Sequence, residues 1–415
     1  MKQRLSRRVF LSGIAASAAA AVLAACGGSK ATETPKSAGS PTSGASTPAV
    51  AASTNGTAVP ISSPTVSSSA PTATAAATVA AGLTATSGAS TPAIAASTNG
   101  TAAPVGSVAA SSLAGKVTLY TSAVQTDADG LKAAFNKKYP NVAVTIYRDG
   151  TEKVIAKLRA EQDAKSVVAD VLLIADAPTM ENLKADKFLQ PYQSPFASAF
   201  DKQFADPEGY YTGTKIINSG IAINTTANLL KPVMWTDLLK PEYKGKVVSP
   251  SPQYSGAAAL NYTVFLNTAA YGAEFVKGLQ KNGMTVVQAN GDALNKIISG
   301  ESPVGIVTDN GVRAAKAKGS PIEMIYPTDG AIPVTEPIAV VAGTKNLDAA
   351  KAFVDFVLSP DGQALIVTQN YIPLLPGVAP PAGVPASLKE FPVNAAAAAK
   401  QLPDAKKQFT AIFGA

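Results

Sequence analysis

Histidine is absent from all 415 residues, and cysteine and tryptophan occur once each. Without imidazole there is no Ser/His or Cys/His catalytic pair, no histidine metal ligand and no histidine titration near neutrality. A lone cysteine excludes an intrachain disulfide, a thiolate metal cage and a dithiol redox centre. Charge is sparse as well: 15% of residues are charged against 46% hydrophobic, and the formal net charge is +7. Lys2, Arg4, Arg7 and Arg8 supply four of these charges, so everything after them sums to +3 (7 − 4). That excess is too weak to argue for nucleic acid as a partner. Hydrolysis without histidine would need a carboxylate pair, a Ser-Lys couple or a bound metal. No local motif for any of these is visible, so neither an enzyme nor a cofactor is expected.

The amino terminus reads as an export address. A basic start is followed by an apolar run from Ile14 to Ala25, too short for a comfortable membrane span. Ser6-Arg7-Arg8-Val9-Phe10-Leu11 resembles a twin-arginine signal, and Leu23-Ala24-Ala25-Cys26 resembles a bacterial lipobox. The chain's single cysteine stands where such a motif is lipidated. These features predict a signal peptide over 1–26 and a lipoprotein held at Cys26 on the outer face of the cytoplasmic membrane.

From Gly27 to Leu113 the composition shifts to Ala, Ser, Thr, Pro and Gly, with no aromatic residue and three charges, Lys30, Glu33 and Lys36. Such a segment cannot bury enough apolar area to offset its ordering entropy. Ser43–Pro60 recurs as Ser87–Pro104 with 16 of 18 positions identical, yet neither copy carries a period worth packing. A duplicated tether is expected, with an end-to-end distance of roughly 50 Å as a flexible coil.

Ordered sequence begins near Gly115. Lys116–Tyr120, Val142–Tyr147 and Val171–Ile174 read as strands, separated by helical patterns carrying Leu131, Ala134 and Phe135, then Val154, Ile155 and Leu158. That alternation predicts a parallel α/β sheet covered by helices. Further strands are expected at Gly220–Asn224, Lys246–Ser249, Val304–Thr308 and Pro337–Ala342. Helices are expected at Ala257–Leu266, Ala273–Gly283, Asp292–Ser299 and Leu347–Leu358. Ligands of open α/β sheets bind beyond the carboxyl ends of strands. Four junctions fit that position: Thr121-Ser122, Asp149-Gly150-Thr151, Tyr254-Ser255-Gly256-Ala257 and Ala289-Asn290-Gly291-Asp292. Each leads into a helix whose free N–H groups and dipole favour an anion. Sequence alone does not bring them together.

Several landmarks recur in order along this region: Val117–Ser122, Ala169-Asp170-Val171, Asp206–Tyr210, Trp235–Leu239, Tyr243–Lys246, Ala349–Phe356 and Ser359–Gln363. With them the chain resembles the extracellular solute-binding proteins of bacterial ABC importers, the group of ferric-iron, phosphonate and sugar-phosphate binders. The resemblance implies a two-lobed, periplasmic-binding-protein-like (type II) α/β fold over 114–415. One lobe would span about 114–218 and 338–385, the other about 221–334 plus C-terminal helices. Crossing segments would lie near Ile217–Ile223 and Pro333–Ala339, with solute captured by closure about that hinge. A monomer working with an ABC permease is implied.

The resemblance also bears on the solute. Ferric members use a histidine, a glutamate and a tyrosine pair, which would fall at Val124, Ala175, and Asp309 with Asn310. A hard trivalent cation needs anionic oxygens, and one carboxylate is too few. Ser255-Gly256-Ala257 and Asn290 match the family's anion-binding turn. The expected solute is therefore an organic phosphate, phosphonate or similar oxyanion on Ser255, Gly256, Ala257 and Asn290, aided by Ser122 and Thr151. Asp176, Asp309 and Glu336 would face the rest of the molecule, suiting an amine or hydroxyls. The alternatives are a ferric or other cation held through Tyr120, Tyr147, Tyr254 or Tyr326, and a sensory or adhesive lipoprotein using the same module.

Overall fold

The computed structural model describes residues 112–414. The export signal, Cys26 and the duplicated tether, save Ser112 and Leu113 at its end, lie outside the described residues.

The apolar rhythm after Gly115 produces β1 (Gly115–Thr121), α1 (Gln125–Lys138), β2 (Val142–Arg148), α2 (Thr151–Asp163), β3 (Val171–Leu173), α3 (Ala177–Ala185) and β4 (Leu189–Gln190). β1 lies between β2 and β3 and runs parallel to both. A second set follows: β5 (Thr212–Asn224), β6 (Val247–Pro250), α4 (Gly256–Asn267), α5 (Gly272–Lys281), β7 (Thr285–Val287), α6 (Asn290–Ser299), β8 (Val304–Thr308), α7 (Asp309–Ala317) and β9 (Ile322–Ile325). There β6 lies between β7 and β8, again parallel to both. The chain closes with β10 (Ile332–Val341), α8 (Leu347–Leu358), α9 (Pro360–Thr368), β11 (Ile372–Pro373) and α10 (Ala395–Phe413).

β5 and β10 join the two sets. They pair antiparallel from Ile332 opposite Ser219 to Ile338 opposite Thr212. One end of β10 continues onto β3, and the opposite end of β5 continues onto β8, both antiparallel. Each therefore serves both lobes, and the pair is the hinge of a two-lobed α/β fold. Both are longer than their hydrophobic runs predict, at 13 and 10 residues, because their polar middles are buried by the lobes on either side. The ladder breaks between Glu336 and Pro337, where proline has no N–H to donate. The Thr214 hydroxyl instead donates to the Glu336 carbonyl at 2.7 Å.

Each lobe has its own aromatic core. In the first, the Phe135 ring lies 4.9 Å from Phe353 and 5.7 Å from Phe356. In the second, Trp235, Tyr262, Phe265 and Phe409 belong to one buried cluster. α10 packs on α4 and α5 of the second lobe and on α3 of the first. Lys406 on α10 pairs with Glu152 on α2, so this helix bridges the two lobes. In front, the lobes touch. A Cβ on Gly150 would lie 2.6 Å from the Tyr254 carbonyl oxygen, and one on Gly256 would lie 2.7 Å from that of Ala175.

Phe409 is fully buried with its ring 4.4 Å from Tyr262. Phe409→Ala should lower stability by about 3–5 kcal/mol, read as an earlier urea midpoint in Trp235 fluorescence. Gly150 has φ −59°, which alanine adopts freely, so Gly150→Ala should leave each lobe folded and hold the walls apart. Faster amide exchange at 254–257 with unchanged protection in β1 is the expected result; unchanged exchange at 254–257 contradicts a closed seam.

Candidate functional site

Six strand-to-helix or strand-to-loop ends face one cavity of about 300 Å³ between the lobes. Ser122 and Val124 follow β1, Gly150 and Thr151 follow β2, and Ala175 follows β3. From the second lobe come Tyr254, Ser255, Gly256 and Ala257 after β6, Ala289 to Asp292 after β7, Thr308 at the end of β8 and Asn310 after it. All four junctions singled out in the sequence thus converge. A larger space of about 500 Å³ lies behind the hinge, lined by Ile216, Pro333, Thr335 and the segment 390–395. None of the four junctions reaches it, so the frontal cavity is the candidate site.

Hydrogen bonds hold the loops in place. The Thr121 hydroxyl donates to the Leu173 carbonyl at 2.7 Å and accepts from the Ala123 N–H at 3.0 Å. The Ser122 oxygen accepts from the Ala175 N–H at 2.8 Å, tying the end of β1 to the end of β3. Arg148, exposed at the rim, donates through Nε to the Ala123 carbonyl at 2.9 Å. Ser255 caps α4 by accepting from the Ala258 N–H at 3.2 Å, and its oxygen also accepts from Asn290 Nδ2 at 3.0 Å. A hydroxyl that accepts two bonds keeps its own proton to donate. The Ser255 proton, the Ser122 proton and the unpaired first N–H groups of α2, α4 and α6 together form a donor-rich wall without a lysine.

The opposite wall rises from the hinge. Glu336 of β10 lines the cavity and is 4% exposed, with its carboxylate 3.0 Å from Lys215 Nζ of β5. Lys215 Nζ also lies 3.8 Å from the centre of the Tyr371 ring, whose hydroxyl donates to Asp127 at 2.7 Å. Burial, then the carboxylates of Glu336 and Asp127, push the Tyr371 hydroxyl well above its ordinary pKa, keeping it protonated. Asn310 Oδ1 is buried and has no hydrogen-bond partner.

Seven of the nine residues expected to hold solute line this cavity: Ser122, Thr151, Ser255, Gly256, Ala257, Asn290 and Glu336. The other two do not face it. Asp309 opens α7 fully buried, and its carboxylate accepts from the Asn218 N–H at 3.0 Å, Arg313 at 2.5 Å and the Tyr326 hydroxyl at 3.0 Å. Fully buried and with both oxygens engaged, it anchors α7 to β5 and does not line the cavity. The Asp309/Arg313 spacing of four residues was the signal for that pairing.

Asp176 lies beneath the cavity floor. It caps α3 by accepting from the Thr179 N–H at 2.7 Å, with φ at +76°. Its other oxygen, Oδ2, is buried without a partner, 2.6 Å from where a Cβ on Gly256 would sit. Burial pushes its carboxyl up to about 7, opposed by the bonds to Thr179, raised further by Glu152 and lowered by Lys406.

The tyrosines named for a cation site do not gather. Tyr120 donates to Glu161 at 2.6 Å and packs on Tyr147, Tyr326 binds Asp309, and Tyr254 alone of the four lines the cavity. Among the described residues, no group of three or more Asp, Glu, Cys or His side chains is placed to hold a metal ion. Val124 and Ala175, at the family's histidine and glutamate positions, do line the cavity but offer it no side-chain oxygen or nitrogen. Arg148, Thr308 and Tyr371 line it too, unmarked in sequence because they come from strand ends and a distant loop, as does Ile217 from the middle of β5.

Residues 166–401 match the bacterial extracellular solute-binding protein family. The chain is 27% identical over 252 residues to the spermidine/putrescine-binding periplasmic protein of Salmonella typhimurium, covering 56% of this chain and 70% of that one. In fold it is similar to the periplasmic binding protein AfuA of Actinobacillus pleuropneumoniae with fructose-6-phosphate bound (24% identity, TM-score 0.67, covering 72% of this chain and 99% of that one). It is likewise similar to iron-bound HitA of Pseudomonas aeruginosa (21% identity, TM-score 0.64, covering 72% and 99%). These likenesses place the fold among the type II periplasmic binding proteins. The family match covers more than half of the chain, which therefore belongs to the bacterial extracellular solute-binding proteins, exported components of ABC importers that capture a small solute.

Proposed function

We propose that the solute is an organic phosphate or phosphonate whose oxyanion rests on Ser255, Gly256, Ala257 and Asn290, with Ser122 and Thr151 completing the shell. The observation that carries this reading is the Ser255 oxygen. It already accepts from Ala258 and Asn290, so its own proton has to be donated, alongside the free N–H groups at the start of α4. A cavity of about 300 Å³ suits a small molecule, and AfuA, of similar fold, carries fructose-6-phosphate. Lipidation at Cys26 would keep the solute-binding lobes near the permease, with the tether as spacer.

A cation is the competing reading, since HitA carries iron and the Salmonella protein is named for polyamines. Glu336 is the buried carboxylate that would attract one. Its charge is already met by Lys215 at 3.0 Å, so an incoming cation would have to compete with a fixed one. That comparison favours the oxyanion.

A thermal-shift panel separates the two. A phosphorylated solute at ~100 times its dissociation constant should add about 2.7 kcal/mol, on the order of 5 °C in midpoint. Stabilisation by ferric citrate or spermidine, with none by phosphorylated compounds, refutes the oxyanion reading. Ser255→Ala and Asn290→Ala should each weaken binding of a phosphorylated solute roughly 10- to 100-fold, the loss expected for one hydrogen bond to a charged group. Ser255→Ala should also lower the unliganded midpoint slightly through loss of the α4 cap.

A further inference from the structure

We infer that Asp176 is a positioning residue of the oxyanion cradle and takes up a proton as the cleft closes on its solute. The inference rests on the oxyanion reading and names the linkage built into that site. Three oxygens meet on the outer face of Gly256, the first residue of α4: Asp176 Oδ2, the Ala175 carbonyl and Thr151 Oγ1. They lie 2.6, 2.7 and 2.9 Å from where a Cβ would stand. Asp176 Oδ2 has no hydrogen bond there, and the residue is fully buried in a left-handed backbone conformation that non-glycine residues seldom adopt. The loop after β3 and the loop after β2 belong to the first lobe, whereas α4 belongs to the second. Opening the hinge withdraws Gly256 and lets water reach Oδ2. Closing it removes that water and brings the solute's negative charge to the same helix terminus.

The surrounding charges do not neutralise Asp176. From α2 it faces Glu152, from α10 Lys406, and from its own helix Thr179; α4 carries no carboxylate, lysine or arginine. Lys406 is committed to Glu152. Burial therefore dominates and raises the carboxyl to about 7 with the walls together. With the walls apart and the group hydrated, the ordinary value near 3.9 applies. The sign follows. Between these values the closed state holds a proton that the open state lacks, so affinity falls as pH rises through that interval, by up to about tenfold per unit. Above neutrality the dependence flattens, because both states are then ionised.

Isothermal titration calorimetry on the full chain, with fructose 6-phosphate and inorganic phosphate as probes, tests this at pH 6 and pH 8 in buffers of different ionisation enthalpy. The comparison is with Asp176→Asn, which keeps the α3 cap and suits the positive φ. At pH 6 the wild type should take up about one proton more per bound probe than the variant, and at pH 8 almost none. Asp176→Asn should bind at least tenfold more tightly than wild type at pH 8, whereas a residue that served only to cap α3 would bind more weakly or unchanged when replaced. Binding of either probe with equal proton uptake in the two proteins overturns the inference and leaves the oxyanion reading standing. If neither probe binds at either pH, the oxyanion reading fails and this inference fails with it.

Discussion

The antiparallel pairing of β5 with β10 is the constraint on which the remainder depends. Because side chains alternate along a strand, the register fixes what each face of the hinge presents. Ile217 and Glu336 point into the frontal cavity, while Ile216, Pro333 and Thr335 line the space behind. A slip by one residue would exchange these sets, placing Thr335 in the frontal cavity and the Glu336 carboxylate in the space that Glu390 already lines. Pro337 and the bulge opposite it interrupt the ladder at the point where the chain passes between lobes. The pair is thus specified in register yet locally short of backbone bonds, a combination suited to bending.

The grip assembled on that hinge is made mostly of neutral donors. Among the cavity's lining residues the charged side chains are Arg148, Asp292 and Glu336, and the first two stand at exposed positions. What the donor wall offers is hydroxyl, amide and backbone N–H, each oriented by a loop tied down elsewhere. Helix termini contribute about half an elementary charge apiece. An importer component must surrender its solute to the permease, and the proposed oxyanion would separate from dipoles more easily than from a desolvated ion pair. The starts of α2, α4 and α6 come from both lobes and line the same cavity.

Much of this was legible in the sequence, and the misses have physical causes. Val304–Thr308 and Leu347–Leu358 emerge with the limits their apolar patterns predict, since both are bounded by turn residues and packed on neighbours that demand their period. The Ser255 cap was readable because capping chemistry is local. β5 and β10 were read short: Thr214, Lys215, Asn218 and Ser219 are polar yet nearly wholly buried, and burial of polar residues comes from tertiary contacts that no pattern announces. The family's tyrosine-pair position falls on Asp309, so the resemblance turns it toward the solute, yet its carboxylate points into the protein. Arg313 one helical turn later and Tyr326 from the following strand region turn it inward. Asp176 is legible in sequence as a site candidate, whereas its depth beneath Gly256 follows from the fold alone.

Lys215 and Glu336 show how the hinge and the cavity constrain one another. They are directly opposed in the β5–β10 register and almost entirely buried. A buried ion pair adds little stability over apolar packing, because desolvation offsets much of the attraction, yet loss of either partner strands a charge at a cost of about 3–5 kcal/mol. Its effect here is therefore on specificity of register more than on stability. Lys215 also rests on the face of Tyr371, and Tyr371 is bonded to Asp127 on α1, so the pair connects the bending strands to the first lobe through contiguous packing. The pair is formally neutral, although Glu336 Oε2 makes no hydrogen bond. In the proposed site, oriented dipoles and the unpartnered carbonyl of Asn310 would discriminate by hydrogen-bond geometry, with the solute's charge met by the helix termini across the cleft.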